Sequence, residues 1–177
     1  MIVDIRGTSG SGKSHIVHSL IREVGSTQVS KLDGKIVGTH IGERIVALGS
    51  YEKVCGGCDA LPTQDLIQGM VDHFAGQYPV VILEGLLVSH TFERWNNLAK
   101  KHDDYRFLFL STSLEECIAR VRRRRLAKGN DKPYNPEHLI KDWHQARRVE
   151  ERLRTAGRQT QWITGYSEVK EMLCEFM

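Results

Sequence analysis

The chain has 177 residues, of which 40% are hydrophobic and 27% are charged, and its formal net charge is +3. This length accommodates one α/β domain with a full core, and no linker, internal repeat or low-complexity tract divides it. So small a net charge does not by itself indicate a nucleic-acid-binding protein. We find no signal-peptide pattern and no apolar run of membrane-spanning length, so we expect a single cytoplasmic domain over residues 1–177, with no membrane partner.

The first predicted strand leads directly into a glycine-rich motif. Residues 2–5 read as a buried strand, and residues 7–14, GTSGSGKS, fit the pattern G-x-x-x-x-G-K-[ST]. Glycines let backbone N–H groups turn around a phosphate, and a helix that begins at Lys13 directs its positive end to the same place. The motif therefore predicts a nucleoside triphosphate site formed by Gly7, Ser9, Gly10, Ser11, Gly12, Lys13, Ser14 and His15.

Two side chains of this motif have defined roles in such a site. Lys13 would reach the β- and γ-phosphates, and Ser14 would offer its hydroxyl to a Mg²⁺ ion that bridges them. A glycine-rich turn that matches by chance is the alternative, but the preceding strand and the amphipathic stretch 16–24 argue against it. We therefore expect ATP and Mg²⁺ as cofactors.

The next segments predict a hairpin, a loop and a helix. Two β-rich runs, 35–41 and 44–49, are separated by a Gly-Glu pair, which indicates a hairpin. Apolar residues at helical spacing over 62–74 indicate a helix. Between them, Cys55 and Cys58 have the spacing of half a zinc site or a redox pair, but no second CxxC and no close His pair completes a metal site.

A buried strand ends in a carboxylate. The continuous apolar run 79–83 predicts a central parallel strand, and Glu84 follows at its carboxyl end. In a parallel sheet that end lies at the same edge as the phosphate loop. Glu84 could hold Mg²⁺, directly or through water, or accept a proton from an attacking hydroxyl. An exposed acid at a strand end, without a function, is the alternative.

The rest of the chain continues to alternate between helices and strands. We predict a helix over 92–101, a strand over 106–110, a helix from Ser113, a loop over 128–136, a long helix over 137–156, a strand over 161–164 and a final helix capped by Ser167. This pattern predicts an α/β fold in which a mostly parallel five-stranded sheet has helices on both faces, with the hairpin as an insertion.

Arginines are concentrated at residues 120–125. Helical spacing places Arg120, Arg123 and Arg124 on one face and the other two arginines on another. The guanidinium fork binds phosphate oxygens and stabilises the charge of a transferred phosphoryl group, so we predict a lid over about 120–136 in which Arg120 and Arg124 contact the nucleotide. A solvated basic helix is the alternative for at least half of these side chains.

The acceptor side is less well defined by the sequence. Asp59 is the first candidate for the base that orients an acceptor hydroxyl, and Asp33 competes with it; either could simply be a turn residue. His40, Tyr51 and Trp95 could line a pocket for a nucleobase, although single aromatic residues more often belong to a core. We expect the region of about 30–62 to contain the acceptor pocket.

These motifs resemble the small P-loop kinases of nucleosides and nucleotides. Residues 80–87, VVILEGLL, look like the corresponding segment of uridine kinases, and residues 106–125 look like their strand, helix and lid. The resemblance implies a P-loop three-layer sandwich and an ATP-dependent phosphotransferase. The hairpin and the CGGCD segment depart from the acceptor regions of uridine, adenylate and thymidylate kinases, so residues that recognise the base cannot be transferred from those enzymes.

The resemblance extends to phage enzymes that phosphorylate nucleotides, polynucleotide ends or hydroxymethylated pyrimidines in DNA. The predicted acceptor is therefore a nucleoside, a nucleotide or a nucleotide unit of DNA; a DNA acceptor would be gripped by the hairpin and the basic residues. A P-loop NTPase acting as a switch, and a nucleotide-binding module without catalysis, are the alternatives. The sequence leaves the oligomeric state open, a dimer included.

Overall fold

The computed structural model describes residues 1–53 and 56–177. Its strands are β1 (Ile2–Arg6), β2 (Ser26–Leu32), β3 (Lys35–Ile41), β4 (Ile45–Leu48), β5 (Val80–Glu84), β6 (Tyr105–Leu110) and β7 (Gln159–Ile163). Its helices are α1 (Lys13–Val24), α2 (Gln64–Ala75), α3 (Leu86–His90), α4 (Glu93–Ala99), α5 (Leu114–Ala127), α6 (Glu137–Thr155) and α7 (Tyr166–Leu173). Short 3-10 helices span Cys58–Ala60 and Cys174–Phe176.

All the strands belong to one sheet, in the order β2-β3-β4-β5-β1-β6-β7. The five strands from β4 to β7 in this order run parallel to their neighbours, whereas β3 pairs antiparallel with β4 and β2 antiparallel with β3. The carboxyl ends of the parallel strands therefore meet at one edge of the sheet, which is where ligands bind in open α/β folds.

Apolar side chains fill the space on both faces of the sheet. Along β5, Val80 and Ile82 contribute to one core, and Val81 and Leu83 contribute to the other, because successive side chains of a strand point to opposite faces. Helices α1 and α7 cover the first face, and α2, α4 and α6 cover the second. In the described residues, no helix has the combination of length and apolar character that a membrane span requires.

The structure confirms the predicted α/β class and its mostly parallel sheet. The predicted hairpin forms as β3 and β4, but β4 also pairs with β5, so the hairpin extends the main sheet. Strand β2 was not predicted, because almost all of its residues are exposed and its side chains lack the alternation of a half-buried strand. The described residues therefore form a seven-stranded sheet, where the sequence predicted a five-stranded sheet with the hairpin as a separate insertion.

Two further differences concern short helices. The five residues of α3 were not predicted as a helix, because so short a segment has no periodic pattern. The prediction that Ser167 caps the last helix was wrong, since α7 begins at Tyr166. The carboxylate of Glu168 instead accepts hydrogen bonds from the N–H groups of Thr164 and Gly165, at 2.8 and 3.0 Å.

An ion pair is buried within the central strand. Arg6 and Asp4, both without solvent exposure, lie on the same face of β1, with Arg6 Nη2 donating to Asp4 Oδ2 at 2.7 Å. The hydroxyl of Tyr105 donates to the same oxygen at 3.0 Å, and Arg6 Nη1 donates to the carbonyl of Thr91 at 3.2 Å. The guanidinium also lies 4.7 Å from the centre of the Phe107 ring. These contacts replace part of the hydration that both charges lose, since Asp4 Oδ1 and Arg6 Nε are buried without a hydrogen-bond partner among the described residues.

We expect Asp4→Ala to lower the free energy of unfolding by about 3–5 kcal/mol, because it leaves the Arg6 charge buried without its partner. Replacing both partners by apolar residues, as in Asp4→Leu with Arg6→Met, should recover most of that loss. Urea denaturation of the single and double variants measures both effects. A double variant no more stable than Asp4→Ala would contradict this account.

Candidate active site

The phosphate loop connects the end of β1 to the start of α1, at the carboxyl edge of the sheet. The side chain of Lys13 is buried and folds over the loop, where its Nζ donates to the carbonyls of Gly7 at 2.8 Å and Thr8 at 3.1 Å. Burial lowers the pKa of Lys13, and the carboxylates of Glu84 and Asp59 oppose that shift. A cation held at the first turn of a helix makes this loop suited to an anionic ligand.

The loop also packs closely against α5, the helix that carries the predicted lid arginines. Gly10 has a φ of +82°, and a Cβ at this position would lie 2.6 Å from the carbonyl oxygen of Cys117 in α5. Only glycine satisfies both the backbone conformation and this approach. The side chain of Thr112, just before α5, donates to the carbonyl of Ser11 at 2.8 Å. The phosphate loop and the start of α5 are therefore fixed against each other.

Glu84 lies beside the phosphate loop, as its position at a strand end predicted. The hydroxyl of Ser14 donates to Glu84 Oε1 at 2.8 Å, and Glu84 is only 1% exposed. A Cβ on Gly57 would overlap the Glu84 carboxylate, so the glycine allows the 56–61 segment to cover it. Together, Ser14 and Glu84 place a hydroxyl and a carboxylate oxygen next to each other.

Burial raises the pKa of Glu84 to about 7. The positive charge of Lys13 and the hydrogen bond from Ser14 oppose this rise, while the nearby carboxylate of Asp59 adds to it. Burial also raises the pKa of the adjacent Tyr51 hydroxyl, and the charge of Glu84 contributes to that shift. Glu84 is thus an acid whose charge state changes near neutral pH.

Asp59 lies across from the phosphate loop and holds the start of α3. Its two carboxylate oxygens each accept a hydrogen bond from the Leu86 N–H at 2.9 Å, and Oδ1 also accepts one from the Leu87 N–H at 3.4 Å. A Cβ on Gly85 would lie 2.9 Å from Asp59 Oδ1. Gly57 and Gly85 therefore let the end of β5 and the segment that contains Asp59 approach each other closely.

A cleft of about 700 Å³ joins these elements. Its lining contains most of the predicted site residues together with some that the sequence did not single out: Ser9, Gly10, Gly12, Lys13, Ser14, His15, Gly56, Asp59, Ala60, Glu84, Leu86, Arg120, Arg123 and Arg124. The cleft thus contains cations from the phosphate loop and α5 together with carboxylates from β5 and the 56–61 segment. The structure brings the predicted donor and acceptor sides into one space.

The lid arginines divide by face, in agreement with their helical spacing. Arg120 Nη1 donates to the carbonyls of Gly10 and Ser11, both at 3.3 Å, and its Nε donates to Glu116 Oε1 at 2.6 Å. Arg125 faces the other way, with its guanidinium 5.3 Å from the centre of the Tyr134 ring. A small apolar cluster between α5 and α6, centred on Cys117, Val121 and Leu139, supports the lid helix from below.

Several predicted residues are not in the cleft lining. Asp33 lies in the turn between β2 and β3, with a φ of 49°, three strands away from β1. Trp95 is fully buried in the core, and His40 is buried with Tyr78 Oη 2.5 Å from its Nδ1. Cys55 lies outside the described residues. In the described part of the chain, no group of three or more His, Cys, Asp or Glu residues could hold a metal ion.

Gly7 and Ser11 are not part of the cleft lining. Ser89 contacts the phosphate loop, and the sequence did not predict this contact. The Gly7 N–H donates to Ser89 Oγ at 3.1 Å, and that hydroxyl donates to the carbonyl of Gly85 at 2.6 Å. Ser89 therefore joins the first residue of the phosphate loop to α3. No signal in the sequence marks a serine in a helix of five residues as a partner of the loop.

We expect the stability of the protein to report the raised pKa of Glu84. Folded Glu84 keeps its proton to higher pH than unfolded Glu84, so its contribution to stability is lost as the pH rises from about 4.5 to about 7. Glu84→Gln removes the titrating carboxyl group and, with it, this pH-dependent contribution to stability. Between pH 5 and pH 8, the free energy of unfolding of the variant should rise by about 2 kcal/mol relative to the unsubstituted protein.

Urea denaturation at the two pH values measures this difference. Glu151→Gln, at an exposed position of α6, is the matched control and should show no pH-dependent difference from the unsubstituted protein. If the Glu84→Gln difference were the same at both pH values, the carboxyl group would not have the raised pKa.

Known proteins resemble this chain along most of its length. The 5-hmdU DNA kinase family model matches residues 1–157. A 5-hmdU DNA kinase of Pseudomonas phage PaMx11 is 34% identical over 163 residues, covering 88% of this chain and 86% of that protein. A 5-hmdU DNA kinase of Pseudomonas phage M6 is 24% identical over 185 residues, covering 97% of this chain and 96% of that protein.

A solved structure of a gluconokinase from Sinorhizobium meliloti 1021 is also similar. It covers 87% of this chain and 95% of its own, with a TM-score of 0.41 and 15% sequence identity. A similarity of this size supports no inference about activity.

Proposed function

The chain belongs to the 5-hmdU DNA kinase family and is a phosphotransferase, and from this premise we propose that it transfers the γ-phosphate of ATP to the hydroxymethyl group of 5-hydroxymethyldeoxyuridine in DNA. The observation that supports this reaction most is the single cleft in which Lys13, Ser14, Glu84 and Asp59 lie together. A hydrolytic switch or a module without catalysis, the alternatives from sequence, do not agree with membership of a kinase family.

The donor side of the proposed site is the phosphate loop. Backbone N–H groups of residues 9–14 would bind the β- and γ-phosphates of ATP, and Lys13 would exchange its loop carbonyls for phosphate oxygens. Ser14 and Glu84 would hold Mg²⁺, since hard oxygen atoms suit this ion and substrate phosphates and water normally complete its coordination. The ion would neutralise charge on the transferred phosphate.

The acceptor side of the proposed site is the segment around Asp59. Its carboxylate would accept the proton of the hydroxymethyl group, so that the oxygen can attack the γ-phosphorus. The new bond joins that oxygen to phosphorus, the bond between the γ-phosphorus and the β-bridging oxygen breaks, and ADP leaves. The hydrogen bonds from the Leu86 and Leu87 N–H groups orient the carboxylate for this role.

The lid arginines would bind the phosphates from the opposite wall. Arg120 already contacts the carbonyls of the phosphate loop, and Arg123 and Arg124 line the same cleft. Guanidinium groups stay charged and offer paired N–H donors, which suits the negative charge spread over the oxygens of a transferring phosphoryl group. We assign Arg120 and Arg124 to this role and place DNA as the partner at the mouth of the cleft.

We expect label from [γ-³²P]ATP to appear in DNA that contains 5-hydroxymethyluracil. The assay compares this DNA with thymine-containing DNA, with 5′-hydroxyl DNA that lacks the modified base, and with free nucleosides and nucleoside monophosphates. Lys13→Ala is the negative control, because it removes the cation of the phosphate loop. Label found only as free phosphate would refute phosphate transfer, and label on free nucleotides alone would refute the DNA acceptor.

We expect Asp59→Asn to lower kcat by about two to four orders of magnitude while ATP still binds. The amide oxygen can still accept the Leu86 hydrogen bond, so the variant removes the base and leaves the start of α3 in place. Asp33→Asn, at an acid outside the cleft lining, is the matched control and should keep full activity. Retained turnover in Asp59→Asn would move the role of base to Glu84.

A further inference from the structure

Leu87 is an exposed leucine beside the cleft. It lies in the first turn of α3 and is 56% exposed, whereas its neighbour Leu86 lines the cleft. The following residues, Val88 and Ser89, are buried. An exposed large apolar side chain is common and needs no explanation by itself. Leu87, however, belongs to a helix in which the neighbouring side chains are either buried or line the proposed site.

The helix that carries Leu87 is fixed at three points. Asp59 accepts hydrogen bonds from the start of α3, and Ser89 Oγ accepts the N–H of Gly7. After the helix, the carbonyl of Thr91 accepts a hydrogen bond from the buried Arg6. Leu87 is therefore presented by a rigid support and not by an independent loop.

The depth of the cleft constrains how DNA can react. Lys13 is 7% exposed and Glu84 is 1% exposed, so the phosphate-binding end of the cleft lies below the protein surface, whereas Asp59 is exposed. The cleft volume of about 700 Å³ is in the range of pockets that enclose one small-molecule ligand, and ATP would occupy part of it. A stacked base in a duplex cannot reach such a position, and enzymes that act on bases extrude the nucleotide from the helix.

The charge around the cleft favours DNA as the occupant of its rim. Arg122 and Arg123 are exposed on α5, and Arg123 lines the cleft, as Leu86 of α3 does. Exposed arginines are suited to the phosphates that flank an extruded nucleotide. An exposed apolar side chain next to a residue of the cleft lining is suited to contact with unstacked bases.

We propose that this protein acts on a nucleotide extruded from the duplex and that Leu87 inserts into the base stack to hold the gap open. The proposal rests on the proposed DNA acceptor. Leu87 is a positioning residue, since it touches neither ATP nor the reacting hydroxyl. Its contribution applies to duplex DNA alone, because a single strand has no complementary strand from which the base must be separated.

The test compares Leu87→Ala on two forms of one oligonucleotide that contains a single 5-hydroxymethyluracil, single-stranded and annealed to its complement. On the duplex, kcat/KM should fall by about tenfold or more, because the gap is no longer filled. On the single strand it should stay within about twofold of the unsubstituted protein, as for an exposed position. A target opposite an abasic site should restore most of the duplex activity.

Val29→Ala is the matched control, since Val29 is 40% exposed on β2 and does not line the cleft. It should leave both substrates unaffected. A second readout is the fluorescence of 2-aminopurine placed beside the target base, which should rise on binding of the unsubstituted protein and rise less with Leu87→Ala.

The outcomes separate this proposal from the proposed function. An equal loss on both substrates, an unchanged duplex rate, or fluorescence that does not rise on binding would overturn the insertion of Leu87 while leaving the DNA kinase activity intact. An unsubstituted protein that labels neither DNA form would overturn the proposed acceptor, and the role of Leu87 with it.

Discussion

Arg6 carries a positive charge without solvent exposure at the end of the central strand, directly before the phosphate loop. A charge in this position is tolerated only when a counter-ion and hydrogen-bond acceptors replace its lost water. Asp4 and the carbonyl of Thr91 supply them, so satisfying Arg6 fixes the end of α3 relative to β1. Because Ser89 in the same helix accepts the N–H of Gly7, the phosphate loop and α3 are positioned by one connected network.

The sequence was informative wherever local pattern and local chemistry coincide. The motif at 7–14 indicated the strand, loop and helix of the donor side, and Glu84 was placed correctly because a carboxyl strand end has a fixed location in a parallel sheet. Contacts between distant segments were not predictable in this way. The pairing of Ser89 with Gly7 joins residues 82 positions apart, and the location of Asp33 depended on β2, a strand without an apolar pattern.

The segment 56–61, which we predict to belong to the acceptor pocket, also shows why a resemblance to other kinases could not supply its details. The N–H of Gly57 donates to the carbonyl of Ser50 at 3.1 Å, and the same glycine lies against Glu84. The two glycines at 56 and 57 are thus required by close backbone and carboxylate contacts, whereas Asp59 is held by the N–H group at the start of α3. A sequence pattern reveals that such a segment is unusual but does not reveal which neighbour makes it so.

The outer strand β2 has a consequence for the behaviour of the protein in solution. One of its edges is paired with β3, and the other ends the sheet, so its unpaired N–H and C=O groups could accept a strand from a second molecule. Register shifts occur between Ser26 and Val29 and between Ser30 and Lys31, and irregularities of this kind bend and twist an edge. Together with the charge of Lys31, these irregularities oppose edge-to-edge pairing of a strand that also exposes a valine and a leucine.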